Sequence, residues 1–276
     1  MPKKRAEKSG NKRRLLYDLL IIILAAVAIY SGYRAWSEYR TRRIAADHYQ
    51  EIASQYAAET GETADSAEAD NTGTAETAES SGEALSLLNI DFDGLLSQNA
   101  DTVAWLYCED TVINYPVVQT TDNEYYLHHL FGGETNSCGT LFVDAANASD
   151  FTDDNTIIYG HYMKNGQMFR TLGEYDSQEY YEEHPFMILY TPETVYQIQI
   201  FASAILDGSD GFPLNFAGEE EKQAWIDSLR EASDIQSEVT VTAEDRLVTL
   251  YTCAYTFEEA RRLVFGKLVP LTNTDS

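Results

Sequence analysis

The chain of 276 residues carries 45 Asp and Glu against 19 Lys and Arg, a formal net charge of −26, and its 44% hydrophobic content suffices for one real core. The charge is sorted, because 11 of the 19 cations lie at or before Arg43, opposed there only by Glu7, Asp18 and Glu38. The remainder holds eight cations against 42 acids, a net −34, which leaves no basic face for phosphate and argues against nucleic acid as a partner.

Residues 1–14 form a basic tip, and residues 15–33 are apolar apart from Asp18, with an uninterrupted apolar core over 19–30. A membrane span needs about 20 residues, and Asp18 sits near the end of this stretch, where its charge reaches the interface. The positive-inside rule puts the seven cations of the tip in the cytoplasm and everything after Tyr33 outside. The expected arrangement is a single-pass signal anchor in the cell membrane with an extracellular body. The competing reading is a signal peptide cleaved at Ala26-Val27-Ala28, which also exports the body.

Residues 34–58 alternate charge with alanine and read as a helical stalk. The run ETGETADSAEADNTGTAETAESSGEA over 59–84 has no aromatic or β-branched aliphatic residue and reads as a disordered, self-repelling acidic linker. Stalk and linker thus take 34–84, and the extracellular folded domain is expected over 85–276. Within it, short apolar runs separated by turn residues predict strands at 103–107, 117–119, 139–143, 156–159, 186–190, 195–204, 247–252 and 263–268. Helical stretches are predicted at 123–130, 219–232 and 168–174. The fold class is therefore mainly β with peripheral helices, and eight strands suggest a closed or nearly closed barrel.

Three cysteines, Cys108, Cys138 and Cys253, are an odd number for an exported chain, so at least one thiol stays free. Cys108 and Cys138 are expected to be reduced and packed as small hydrophobes. In the run 247–253, alternation puts Val248 and Leu250 on one face and Thr249, Tyr251 and Cys253 on the other, so Cys253 should emerge at a strand end on an open face. His161 follows Thr156-Ile157-Ile158-Tyr159-Gly160, an apolar strand and a glycine, at the mouth of a loop. Arg261 and Arg262 enter the next apolar strand, which can fold back beside the thiol. Cysteine, histidine and arginine make a coherent set of nucleophile, proton carrier and fixed positive charge. No Cys/His pair shows metal-ligand spacing.

Thr249-Leu250-Tyr251-Thr252-Cys253, with an arginine on the following strand, resembles the signature of the sortase family. Ile113-Asn114-Tyr115-Pro116-Val117-Val118-Gln119, Asp122-Asn123-Glu124-Tyr125-Tyr126-Leu127, Tyr159-Gly160-His161 and Asn165-Gly166-Gln167-Met168-Phe169 resemble segments of its class B. The resemblance implies an eight-stranded sortase-type barrel with an N-terminal helix, no cofactor, and a cysteine transpeptidase with Cys253, His161 and Arg261 as catalytic residues. Its implied partners are surface proteins bearing a C-terminal sorting signal, cleaved at a threonine carbonyl, and the amine of a peptidoglycan precursor. Asn114, Tyr251 and Thr252 are the substrate-binding candidates. Tyr251 departs from the family's usual serine and stands on the face of Cys253, about 6.8 Å away along the strand. The family's register counted back from Gly266 selects Arg261, leaving Arg262 as an exposed residue of the opposite face that should matter little. The alternatives are an exported L,D-transpeptidase-like or papain-like cysteine enzyme, and a non-enzymatic acidic surface-binding module. An L,D-transpeptidase puts its arginine almost beside the cysteine, and a papain-like protease puts cysteine before histidine on a helix; neither order is found here.

Overall fold

A computed structural model of the chain describes residues 7–64, 85–208, 211–253 and 260–271. A long helix, α1 (Glu7–Tyr56), leads into strand β1 (Ala57–Ala64), which pairs antiparallel with β2 (Leu85–Ile90). A short helix α2 (Phe92–Gln98) follows, then β3 (Thr102–Tyr107), β4 (Asn114–Val118), β5 (Leu141–Val143) and β6 (Asn155–Tyr159). Helix α3 (Gln178–Glu183) precedes β7 (Phe186–Tyr190) and the long β8 (Val195–Asp207). Helix α4 (Glu219–Glu231) then leads to β9 (Leu247–Cys253) and β10 (Ala260–Pro270). The last eight strands close a barrel in the order β10-β8-β7-β3-β4-β5-β6-β9. Only β4/β5 and β6/β9 pair in parallel; every other neighbouring pair is antiparallel.

Each of the eight predicted strands is present, with ends moved by up to three residues. The predicted helix at 219–232 matches α4. The one predicted at 123–130 shrinks to a 3-10 turn, Tyr125–Leu127. Asp122 Oδ1 starts this turn by accepting from the amides of Glu124 and Tyr125. From His128 on, however, the backbone pairs in a small hairpin (Leu130 N to Glu134 O, Asn136 N to His128 O), and no i→i−4 ladder remains. The stretch at 168–174 is likewise a 3-10 helix, Phe169–Asp176, entered through Met168 at φ 54°.

Two layers of apolar side chains flank the strands that matter for function. Val248, Leu250 and Val264 belong to the main core with Ile198 and Ile200. Phe201, Ala202, Leu263 and Phe265 form a second layer, covered by Ile226 and Leu229 of α4. Lys222, on the same helical face, is buried and reaches Asp154 Oδ1 at 2.7 Å.

The chain divides into two compact units, Met1–Ile44 and Ala45–Ser276. In the first, the apolar side chains of α1 from Leu15 to Tyr33 stand exposed, and among the described residues this is the one helix long and apolar enough to cross a membrane. The second unit begins at Ala45, forty residues before the composition break at Leu85. Ala45, Tyr49, Ile52 and Tyr56 are all buried in the main core. Tyr49 Oη lies 2.5 Å from the Gly139 carbonyl, to which it donates, and 2.9 Å from Thr140 Oγ1; its ring stands edge-on to Tyr115. The last turns of the helix are therefore part of the second unit's folded core. Their apolar i, i+4, i+7, i+11 spacing is diluted by the charges between, which is why composition hid it. The first residues of the acidic run also pair, as β1. Composition governs side-chain burial, and a backbone ladder with β2 does not need it. Residues 65–84 lie outside the described residues.

Removing residues 1–44 should leave a cooperatively folding body, whereas removing residues 1–84 should not leave one of equal stability. Burial of each large apolar side chain contributes about 1.5–3 kcal/mol, so losing Tyr49, Ile52 and Tyr56 should lower the thermal midpoint by about 10 °C or more. Equal midpoints in a thermal melt of the two truncations would refute this role for the helix end.

Candidate active site

The site is built on the junction of β6, β9 and β10. In the antiparallel ladder Arg261 is the direct partner of Cys253, and on its other side Arg261 pairs with Leu206 of β8. Direct cross-strand partners share a face, with Cβ atoms about 4.5–5.5 Å apart. In the parallel ladder Tyr159 pairs with Tyr251, and the Gly160 amide donates to the Tyr251 carbonyl at 3.0 Å. The ladder ends at that pair, and Gly160 and His161 leave β6 beside the end of β9, where Cys253 stands two residues beyond Tyr251. Gly160 makes this approach feasible: a Cβ there would lie 2.5 Å from both Leu141 Cδ2 and Phe169 Cδ2.

His161 is half-buried, and its Nε2 lies 2.8 Å from the carbonyl oxygen of Leu127. A carbonyl only accepts, so Nε2 carries the hydrogen and Nδ1 is the nitrogen free to take and return a proton. Burial holds the imidazole below its ordinary pKa of 6.5. The Leu127 bond opposes that shift, and the charge of neighbouring His128 adds to it. Leu127 closes the 122–127 segment already prominent in the sequence, yet its role runs through a carbonyl that no residue type reveals.

Cys253 is half-exposed at the end of β9, on the same face as Tyr251. The rest of that face is not open: Thr249 is fully buried beneath the α4 layer, opposite Phe265. The Tyr251 ring stands edge-on to Tyr159 at 4.9 Å and to Phe212 at 5.9 Å, and the Arg261 guanidinium carbon lies 5.9 Å from its centroid. Tyr159 is itself tied down, its hydroxyl donating to Asp144 Oδ2 at 2.7 Å, an oxygen that also accepts from Asn123 Nδ2.

Arg262 differs from its sequence-based expectation. It is 4% exposed rather than on the surface, ion-paired to Asp234 and hydrogen-bonded to Ser203 Oγ at 3.2 Å. It occupies the apolar place that the register assigned to it, and it is tolerated there because a carboxylate meets it. Nothing at Asp234, 28 residues earlier, announces the pairing.

Of the substrate-binding candidates, only Tyr251 shares the face of Cys253. Thr252 points the other way, is 1% exposed, and its Oγ1 has no hydrogen-bond partner among the described residues. Asn114 opens β4, and its Oδ1 accepts from the indole of Trp105 at 2.7 Å. In the barrel order β4 stands three strands from β9, with β5 and β6 between, so Asn114 does not neighbour Cys253. Cys108 and Cys138 are buried and unbridged. Among the described residues no group of three His, Cys, Asp or Glu is disposed to hold a metal.

A family model described as the Sortase domain matches residues 106–269. The chain is 36% identical over 176 residues to sortase B of Listeria monocytogenes, spanning 62% of this chain and 71% of that protein. To sortase B of Staphylococcus aureus it is 33% identical over 184 residues, 66% of this chain and 75% of that one. The solved Staphylococcus aureus sortase B–substrate complex superposes with a TM-score of 0.62 at 32% identity, covering 66% of this chain and 85% of that chain.

Two outcomes follow from the two faces of β10 and from the buried imidazole. Arg262→Ala should lower unfolding stability by about 2–3 kcal/mol, since it strands Asp234 and empties a buried place, while Arg261→Ala should cost well under 1 kcal/mol. Chemical denaturation of both variants decides, and the reverse ranking would mean the strand is read one residue out. For His161 the folded pKa lies below the unfolded one, so the unfolded chain binds the proton more readily. Stability from this group is present above pH 6.5 and is lost as pH falls through 6.5 towards the folded value. The difference in stability between the parent and His161→Gln should therefore shift against the parent below pH 6.5; a pH-independent difference would remove the basis for a desolvated imidazole.

Proposed function

The chain belongs to the sortase family, in its class B, and is thus a cysteine transpeptidase, and we propose that Cys253, His161 and Arg261 carry its chemistry on a sorting-signal peptide and a cell-wall amine. The observation that carries this reading is the cross-strand pairing of Cys253 with Arg261, next to a histidine whose free nitrogen is Nδ1.

Cys253 Sγ attacks the carbonyl carbon of a threonine in an extended peptide while His161 takes the thiol proton on Nδ1. A C–S bond forms, and negative charge collects on the tetrahedral oxygen, where the Arg261 guanidinium offsets it. Collapse breaks the C–N bond, and His161 returns the proton to the departing amine. The acceptor amine of a peptidoglycan precursor then attacks the thioester, gives up a proton, and releases Cys253 as a thiol. His161 is suited to both directions because burial keeps it neutral near pH 7 and therefore ready to accept first. Tyr251 lines the groove and narrows it relative to a serine. The strongly acidic body favours amine-bearing acceptors, within the roughly 8 Å range that salt leaves to surface charge.

The exposed apolar stretch of α1 supports anchoring in the cell membrane. The cations before Leu15 favour a cytoplasmic N-terminus, with the barrel outside facing surface proteins that bear a C-terminal sorting signal.

The test is to incubate the full chain with a sorting-peptide library and an amine acceptor and to read products by mass. Cys253→Ala should form no acyl-enzyme, and Arg261→Ala and Arg261→Lys should both lose about 10²–10³ in rate, because an ammonium lacks the planar fork that aims two donors at once. Peptide cleavage by Cys253→Ala would show that the nucleophile lies elsewhere.

A further inference from the structure

Gly208 follows the last residue of β8, Asp207, whose partner is Ala260, the residue before Arg261. Its backbone is not in the left-handed region, so glycine is not required there for conformation. What the position needs is space. A Cβ at Gly208 would lie 2.3 Å from Tyr251 Oη, 2.6 Å from Arg261 Cγ and 3.3 Å from Arg261 Nε. The two neighbours are poorly placed to retreat. The Tyr251 ring is flanked by Tyr159 and Phe212. Arg261 Cγ is only two bonds from a Cα held between Cys253 on one side and Leu206 on the other.

We propose that Gly208 is a positioning residue for the transfer reaction: its missing side chain is the space that lets Arg261 lie over Tyr251 beside Cys253. This rests on the catalytic role proposed for Arg261. Any side chain at 208 pushes the guanidinium away from the developing oxyanion and turns the tyrosine into the groove, without touching substrate itself. The position thereby sets both the aim of the arginine and the width of the groove at the residue where this chain carries tyrosine.

The experiment compares the full chain in detergent micelles with Gly208→Ala, Tyr251→Ser, the Gly208→Ala/Tyr251→Ser double variant and Arg261→Ala. Transpeptidation kcat/KM, the thermal midpoint and the alkylation rate of Cys253 are measured on each. Gly208→Ala should lose about 10–100-fold in kcat/KM, the scale of a group misplaced by about an ångström. Its midpoint and its alkylation rate should stay close to the parent's. Against the Tyr251→Ser background the ring's space is vacant and the alanine at 208 can settle into it, away from Arg261 Cγ, so the same substitution should cost no more than about threefold, a non-additivity that a merely structural role would not produce. An equal loss in both backgrounds, or a loss that tracks a lowered midpoint, overturns the proposal. If Arg261→Ala is inactive while Gly208→Ala is fully active, this inference alone falls. If Arg261→Ala is fully active, the catalytic role of the arginine falls and takes the inference with it.

Discussion

The site depends on the register of one three-stranded ladder, β6–β9–β10. Hydrogen bonding sets Arg261 opposite Cys253 and Tyr159 opposite Tyr251, and His161 follows two residues after the end of that parallel ladder. Because side chains alternate, a slip of one residue would bury Arg261 and turn Arg262 into the groove. Such a slip is opposed on both faces at once. Val264 and Leu250 are sealed in the main core, Leu263 and Phe265 beneath α4, and Arg262 is held by Asp234 and Ser203. A strand with both faces buried has few alternatives of comparable energy, and so it can present a charged side chain at a fixed point.

The two partners proposed for Cys253 live in different surroundings. His161 is desolvated, which keeps it neutral, and its tautomer is set by a backbone carbonyl. Arg261 stays half-exposed on the face it shares with Cys253 and Tyr251. Between the strands runs a relay of contacts from Asn123 through Asp144 and Tyr159 to Tyr251 and Arg261. Each member contacts the next, so the arginine is linked to a carboxylate at the end of β5, three strands away in the barrel order. Such relays locate a group to within the fraction of an ångström that transition-state stabilisation requires.

The acidic body and the basic tip act at another level. They do not shape the barrel, whose strands are specified by apolar alternation. Whatever long-range attraction such charge exerts is weakened by salt. The body itself begins earlier than composition implies, since Tyr49, Ile52 and Tyr56 at the end of α1 belong to its core.

What the sequence determined by itself was whatever rests on local pattern. The eight strands were legible from runs such as 186–190 and 247–252, because period-two alternation and turn residues are written in contiguous residues. The candidate thiol, histidine and arginine could be nominated because each sits in or just beyond such a run, at a countable spacing. Tertiary structure alone decided the rest. The burial of Arg262 needed Asp234, the tautomer of His161 needed the carbonyl of Leu127, and the stack of Arg261 on Tyr251 needed Gly208 to be empty. Asn114 and Thr252 were separated from Cys253 by strand position and by face, which a motif read as a string does not contain. The physical reason is common to all of these. A side chain's partner across a barrel is fixed by strand order and register, and those arise from packing that no single segment encodes.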